Sequence, residues 1–315
     1  MYKGLSCCII IPAYNEQKNI LSVINSLPSF IDEIVVVNDC SNDDTHKILE
    51  GISKINSKVT IINKEINEGA GAAKKVGYLY GRTTKHNLFI TMDGDGQMNP
   101  DEIKHLLDPI VDKEADFTKA NRLLYSNAYK KIPKKRFFGN SILSLLTKIA
   151  SGFWHVSDSQ TGFTACNREV IDALPFEQLY SSYGYPNHLL VMLNINNFKV
   201  KDIKSEPIYG VGEKSNINIK RVIIPISWLL IKSFFLRLKI KYIINDFHPL
   251  VLFYFGGFFS LFISFLLSLR LFYKWYFLGD IPGINALATM FFGLIGLQLI
   301  LFAMWFDMDI NKELK

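Results

Sequence analysis

Cys7-Cys8-Ile9-Ile10-Ile11-Pro12-Ala13-Tyr14-Asn15-Glu16 is the stretch from which the fold can be read. Its first five residues are an unbroken apolar run, too short for a core helix, and read as a buried strand. Pro12 is expected to stop that strand, and Asn15 to cap a helix running to about Leu27. The pattern recurs downstream. Glu33 to Val37 is a second apolar strand, and Asp43-Asp44-Thr45 opens the next helix. Val59 to Asn63 is a third strand, followed from about Ala70 by a helix rich in small residues. Asn87 to Met92 is a fourth, after which Pro100 takes a first-turn position in a helix reaching Glu114. A further strand is expected near Phe117 to Ala120. Strands alternating with helical patterns predict an α/β fold, a mostly parallel sheet with helices on its faces. Such sheets bind ligands beyond the carboxyl ends of their strands. Pro12 to Glu16, Asn38 to Asp44 and Asp93 to Gln97 all follow strands, so three polar loops should gather along one edge.

The third loop, Asp93-Gly94-Asp95-Gly96-Gln97, is the sharpest local feature. Two carboxylates one residue apart can reach one hard divalent cation, Mg²⁺ or Mn²⁺, and the glycines let the backbone approach a ligand. A cation there would bind a diphosphate and neutralise charge on a leaving nucleotide. Asp-Gly pairs also build ordinary turns, so the loop alone leaves both readings open. A calcium-binding EF-hand loop does not fit, because Met98 stands where that loop needs glycine. Asn67-Glu68-Gly69-Ala70-Gly71 is a poor dinucleotide loop, since its third glycine position is Lys74.

The chain has 315 residues, 49% hydrophobic and 20% charged, with a net charge of +6. Charge thins abruptly after Asp246. Leu250 to Leu269 and Ile281 to Phe306 carry no formal charge, and each is long enough to cross a hydrocarbon core of about 30 Å. Lys220, Arg221, Lys232, Arg237, Lys239 and Lys241 cluster just before the first apolar run, as the positive-inside rule and anionic headgroups would favour. Trp228, Leu229, Leu230, Phe234, Phe235 and Leu236 among those charges favour membrane lipid over nucleic acid, and Pro225 to Ile244 reads as an amphipathic interface helix. Cys7 to Ile11 is too brief for a signal core, so the polar part is expected in the cytosol as part of an integral membrane protein. The four cysteines have no metal-ligand spacing and read as reduced thiols. The expected division is 1–215 catalytic, 216–246 juxtamembrane, and 247–315 a two-helix anchor.

Pro12-Ala13-Tyr14-Asn15-Glu16, Asn38-Asp39-Cys40-Ser41-Asn42-Asp43-Asp44-Thr45 and Asp93-Gly94-Asp95-Gly96-Gln97, in this order and spacing, resemble glycosyltransferase family 2. The resemblance continues in Gly162-Phe163 and in Tyr209 to Ser215, and the two-span tail places it near the polyprenyl-phosphate sugar transferases. It implies the GT-A fold, a Rossmann-like mixed, mostly parallel sheet. It also implies a nucleotide-sugar donor and a polyprenyl-phosphate acceptor, dolichyl or undecaprenyl. Pro12, Tyr14, Glu16 and Asp39 match donor-binding positions. Asp93, Asp95 and Gln97 match the metal and diphosphate site. Arg122 matches a phosphate-binding base, while Lys135, Arg136 and Asn140 fall where the family holds the acceptor phosphate. Asp95, Arg122, Arg136 and Asp158 are the residues expected to carry catalysis. Arginine binds phosphate in a two-point fork, which suits the basic run Lys130, Lys131, Lys134, Lys135 and Arg136. Relatives include oligomers, and no feature here fixes a subunit number.

Asp158 stays open between two roles. A hydroxyl acceptor would need it as general base, whereas a phosphate acceptor is already ionised and would leave it an orienting role. Asn187 and His188 stand where relatives carry an acid, and take no role from sequence. A transferase to a glycolipid or other hydroxyl, and a catalytically silent nucleotide-binding scaffold, are the alternatives. A processive polysaccharide synthase is disfavoured, because the chain has no Gln-x-x-Arg-Trp motif.

Overall fold

The computed structural model describes residues 1–125, 134–206, 208 and 219–315, without the side chains of 134–138, 140 and 219–223. Chain contacts divide it into two compact units, Met1–Phe234 with Leu314–Lys315, and Phe235–Glu313.

The first unit is built on a seven-stranded sheet of order β3-β2-β1-β4-β6-β5-β7. Its strands are β1 (Cys7–Ala13), β2 (Glu33–Asn38), β3 (Val59–Asn63), β4 (Leu88–Thr91), β5 (Phe117–Asn121), β6 (Thr164–Asn167) and β7 (Val200–Lys204). Every pairing is parallel except the two made by β6, with β4 and β5. The expected α/β class and mixed, mostly parallel sheet are therefore observed. Helices Ile20–Asn25, Thr45–Ile55, Ala70–Thr83 and Ile103–Val111 return the chain between strands. The central strand β1 is buried along its whole length, and Ile9, Ile11, Val36, Ile90 and Leu107 belong to the core cluster packed against it.

Two expectations about β1 and its sequel need correction. The strand passes through Pro12, which pairs in register with Val37, and ends at Ala13. Pro12 is tolerated because β4 has already ended: pairing with β4 stops at Ile10 opposite Thr91. The Pro12 carbonyl still accepts from Gly94 N at 3.3 Å, so the missing N–H breaks no ladder bond. Asn15 caps no helix. It has φ 56°, and the following helix begins only at Ile20. The amides of Asn15, Glu16 and Gln17 instead donate to Ser41 Oγ (3.0 Å), Thr45 Oγ1 (2.8 Å) and Asp43 Oδ2 (3.2 Å). Side chains of the second loop thus take the amides a helix would have used.

Helix Ala70–Thr83 lies close on the sheet because it is made of small residues. A Cβ at Gly77 would stand 2.2 Å from Ile10 Cγ2, which fixes the distance from this helix to β1.

In the second unit, helices Leu250–Leu278 (29 residues) and Gly283–Ile310 (28 residues) are long and apolar enough to cross a membrane. They meet at glycines: a Cβ at Gly296 would lie 2.9 Å from Leu261 N and 3.0 Å from Gly257 O. The segment Pro225 to Ile244, expected to be an amphipathic helix, lies in helix Ile219–Lys239 and the π-helical stretch Ile240–Asn245 that continues it. Trp228, Ile231 and Phe235 are exposed on it. Arg237 and Lys241 are not surface cations, contrary to the sequence reading. Arg237 is fully buried and forms a two-point fork with Asp307, 2.7 and 2.9 Å, and Lys241 donates to Asn311 Oδ1 at 2.9 Å.

Candidate active site

The loops after β1, β2 and β4 meet, as the topology requires. Asp39 N donates to Ala13 O (2.9 Å), Asn42 N to Asn15 Oδ1 (2.8 Å), and Gly94 N to Pro12 O. Tyr14 is exposed at this edge, and Glu16 is half-buried. Burial raises the Glu16 carboxyl above its ordinary range, and the negative charges of Asp43 and Asp93 add to the rise.

Asp39 is 2% exposed and fully engaged. Its carboxylate takes Lys64 Nζ at 2.6 Å and the amides of Glu68 (3.2 Å) and Gly69 (2.7 Å). It therefore ties the loop after β3 to the loop after β2, at the N-terminus of helix Ala70–Thr83.

Asp93 and Asp95 follow β4. Asp95 Oδ1 accepts from Gln97 N at 3.0 Å, which closes the turn, and Gly96 supplies its φ of 75°. Asp93 Oδ1 is buried and receives no hydrogen bond. Lys74 Nζ stands 2.7 Å from it, a contact of charge without hydrogen-bond alignment. The two carboxylates offer hard oxygen ligands, one of them an orphaned buried atom, which fits a hard divalent cation completed by diphosphate oxygens and water. No third His, Cys, Asp or Glu joins them among the described residues.

Arg122 and Asp158 form the second centre. Arg122 leaves the end of β5, and its Nε and Nη2 donate to Asp158 Oδ2 (2.7 Å) and Oδ1 (2.8 Å), with its backbone N also on Oδ2 at 3.1 Å. Asp158 is 1% exposed, in the left-handed region at φ 48°. Burial by itself would raise its carboxyl. The hydrogen bonds and charge of Arg122, with Lys119 behind, overcome that and hold it below the usual carboxylate range. Both oxygens of this carboxylate are committed to Arg122, and the pair fixes the orientation of the guanidinium.

Several supporting residues escaped the sequence reading. Lys119 is buried in β5 and donates to Ser157 O (2.7 Å), Asp158 O (3.0 Å) and Asp202 Oδ1 (3.2 Å). Asp202 also takes Ser157 N and the Asn121 amide, so β5 and β7 together hold the Asp158 loop from beneath. A lysine inside an apolar strand was the available signal. Asn187, unassigned from sequence, is fully buried and links Gln160, Ser159 and Thr147 through its side-chain amide. His188 accepts from Tyr180 N at 3.1 Å. Lys135, Arg136 and Asn140 sit on helix Lys134–Ser151, with side chains outside those described. Lys130, Lys131 and the Tyr209 to Ser215 motif lie outside the described residues.

Residues 8–174 match the Glycosyl transferase family 2 model. The chain belongs to this family. It is a glycosyltransferase, as the sequence motifs implied. It is 29% identical over 229 residues to a UDP-N-acetylglucosamine–dolichyl-phosphate N-acetylglucosaminyltransferase of Methanococcus voltae, covering 67% of this chain and 90% of that protein. A polyprenol monophosphomannose synthase of Mycolicibacterium smegmatis is 26% identical over 227 residues, 70% of this chain and 84% of the relative. Among solved structures, glucosyl-3-phosphoglycerate synthase from Mycobacterium tuberculosis, with Mn²⁺, UDP and glucosyl-3-phosphoglycerate, superposes at a TM-score of 0.54 and 20% identity. That match spans 75% of this chain and 81% of the other. At that identity the likeness establishes the shared GT-A type of fold.

Proposed function

We propose that this glycosyltransferase moves a hexose, with inversion, from a UDP- or GDP-linked donor to a polyprenyl phosphate at the cytoplasmic face of a membrane. The observation that carries the acceptor class is the Arg122–Asp158 fork. A hydroxyl nucleophile would need a base, and the buried acid best placed to be one is consumed by a guanidinium. A phosphate monoester, with a second pKa of about 6, needs none. The names of both relatives, acting on dolichyl phosphate and producing polyprenol monophosphomannose, support this choice.

In the reaction, a phosphate oxygen of the acceptor attacks the anomeric carbon as the bond to the donor's diphosphate breaks, and the nucleoside diphosphate leaves. No proton has to move. Pro12, Tyr14, Glu16 and Asp39 line the donor's nucleoside end. Asp93 and Asp95, with Gln97, would hold Mg²⁺ or Mn²⁺, which supplies charge neutralisation at the leaving diphosphate; the solved relative's Mn²⁺ and UDP agree with that assignment. Arg122, with Lys135, Arg136 and Asn140 on helix Lys134–Ser151, receives the acceptor phosphate against the donor's repulsion. Catalysis is mainly positioning and electrostatics. Helices Leu250–Leu278 and Gly283–Ile310 anchor the chain where a long polyprenyl tail can stay in lipid.

The test is transfer from a panel of radiolabelled nucleotide sugars into organic-extractable lipid, with and without polyprenyl phosphate and divalent metal. One sugar entering an acid-labile lipid in a metal- and phosphate-dependent manner supports the reading. Transfer only to hydroxyl acceptors overturns it.

A further inference from the structure

We infer that Lys74 is a built-in countercation of Asp93 that keeps divalent metal out of the donor site until the nucleotide arrives. This rests on the reading of Asp93 and Asp95 as the donor's metal site.

Lys74 is an odd residue for its place. It directly follows Ala70-Gly71-Ala72-Ala73, the small-residue start of a helix held tightly to the sheet, and its side chain is 7% exposed. Buried lysines are rare unless paired. Its ammonium lies 2.7 Å from Asp93 Oδ1, and among the described residues no carbonyl or hydroxyl accepts a hydrogen bond from it. Asp93 Oδ1 likewise has no aligned donor. The two groups are matched in charge but make no directional bond, so the contact can be exchanged at little geometric cost.

The surroundings are fitted to this pair. A Cβ at Gly162 would lie 2.3 Å from Lys74 Nζ and 2.5 Å from Asp93 Oδ2, so a larger residue there would push the ends of both side chains from their present places. Lys74 also lines a small cavity of about 20 Å³ with Thr91, Thr161, Gly162, Thr164 and Tyr185.

A divalent ion bound to Asp93 Oδ1 at roughly 2.1 Å would lie within about 5 Å of the ammonium if Lys74 stayed in place. Two cations that close, with three positive charges between them, repel strongly unless an anion comes between. Nucleoside diphosphate is such an anion. With it, the metal takes Asp93 and Asp95, while the Lys74 ammonium turns to the diphosphate and remains a cation for the leaving group. Without it, Lys74 holds Asp93 alone. Metal binding is thereby made conditional on donor.

The test is Mn²⁺ binding to full-length, detergent-solubilised protein, read by the free-ion electron paramagnetic resonance signal, with no nucleotide, with UDP and with GDP. Wild-type protein should bind Mn²⁺ weakly alone and far more tightly with one nucleotide. Lys74→Met should bind Mn²⁺ without nucleotide at least about tenfold more tightly than wild type, the floor that Coulomb repulsion sets even at the dielectric of water. Its gain on adding nucleotide should shrink to match. A merely structural lysine would not improve metal affinity when removed. Unchanged nucleotide-free affinity in a folded Lys74→Met, or in Lys74→Gln should Met not fold, overturns the inference. So does wild-type protein that binds Mn²⁺ equally well with and without nucleotide. Wild-type protein that binds no Mn²⁺ under any condition overturns the donor-site reading itself, a distinguishable failure.

Discussion

Removing Arg122 should cost the protein more than removing Asp158, although Arg122→Ala breaks only the two guanidinium bonds and keeps the backbone one, whereas Asp158→Ala breaks all three. The asymmetry follows from burial. Asp158 is 1% exposed, whereas the Arg122 side chain is 26% exposed. Arg122→Ala leaves a carboxylate sealed from water without its guanidinium, and breaking a buried pair in this way costs about 4–5 kcal/mol. Asp158→Ala leaves a guanidinium that can turn partly to solvent, so the loss is about 2–3 kcal/mol. The two variants must also differ in pH dependence. In wild-type protein Asp158 is held below its usual range, so its contribution is present above an unfolded pKa of about 3.9 and is lost as pH falls through the lower folded value. Without Arg122, burial dominates and raises the folded carboxyl above the unfolded value. The penalty of Arg122→Ala is then full at high pH and shrinks as the folded protein takes up a proton on acidification. Urea unfolding of detergent-solubilised protein, followed by near-ultraviolet circular dichroism between pH 5 and 8, measures both effects. If Asp158→Ala proves as costly as Arg122→Ala, or the Arg122→Ala gap does not narrow on acidification, then the carboxylate is not held as argued and its exclusion as a base falls with it.

Asp95→Ala should abolish transfer while leaving the thermal midpoint unchanged; near-normal turnover contradicts the metal assignment. Asn187→Ala strips Gln160, Ser159 and Thr147 of a buried partner and should destabilise the chain by about 2–3 kcal/mol in the same urea titration. His155 and His188 are both held below the usual imidazole value, chiefly by burial. The unfolded chain therefore binds protons the folded one does not, so the thermal midpoint should fall as pH drops below about 6.5, and His188→Asn should flatten part of that slope. In the second unit, Asp307→Ala takes from the buried Arg237 the carboxylate that neutralises it and should cost about 3–5 kcal/mol, with Asp307→Ala plus Arg237→Met recovering part of the thermal midpoint.

The sheet was legible because its parallel strands are continuous apolar runs, which few other structures explain. Val59–Asn63 and the helix from Ala70 fall where the sequence put them. Strand β6 was not foreseen: Thr164-Ala165-Cys166-Asn167 is four residues long and has no periodicity. The first helix starts late because amide partners from residues 41–45 outcompete it, and pairings across 26 to 29 positions leave no local trace. The same reason hid the buried cations. Arg237 and Asp307 are 70 positions apart, and Lys119 and Asp202 are 83. A local reading sees only a charged run, and it placed Arg237 and Lys241 at the headgroups when both are buried.

Those distant pairs also say how the catalytic unit copes with anionic substrates. At the carboxyl edge of the sheet Lys64 is paired with Asp39, Lys74 with Asp93 and Arg122 with Asp158, and beneath it Lys119 of β5 is paired with Asp202 of β7. Donor and acceptor together would bring three phosphate groups to this edge, and a site of bare cations would be costly to hold folded without them. Pairing each cation with its own carboxylate keeps the edge near neutral and fixes the donors in place beforehand, so little reorganisation remains for the reaction. The pairs are not equivalent. Lys119 spends all its hydrogen bonds on Ser157, Asp158 and Asp202, and is structural. Lys74 spends none within the described residues, and Arg122 offers Asp158 only one edge of its guanidinium. Of the four, Lys74 can turn without breaking a hydrogen bond within the described residues, while Arg122 stays held in its fork by Asp158. Charge-neutral replacement should therefore affect folding at Lys119 and catalysis at Lys74.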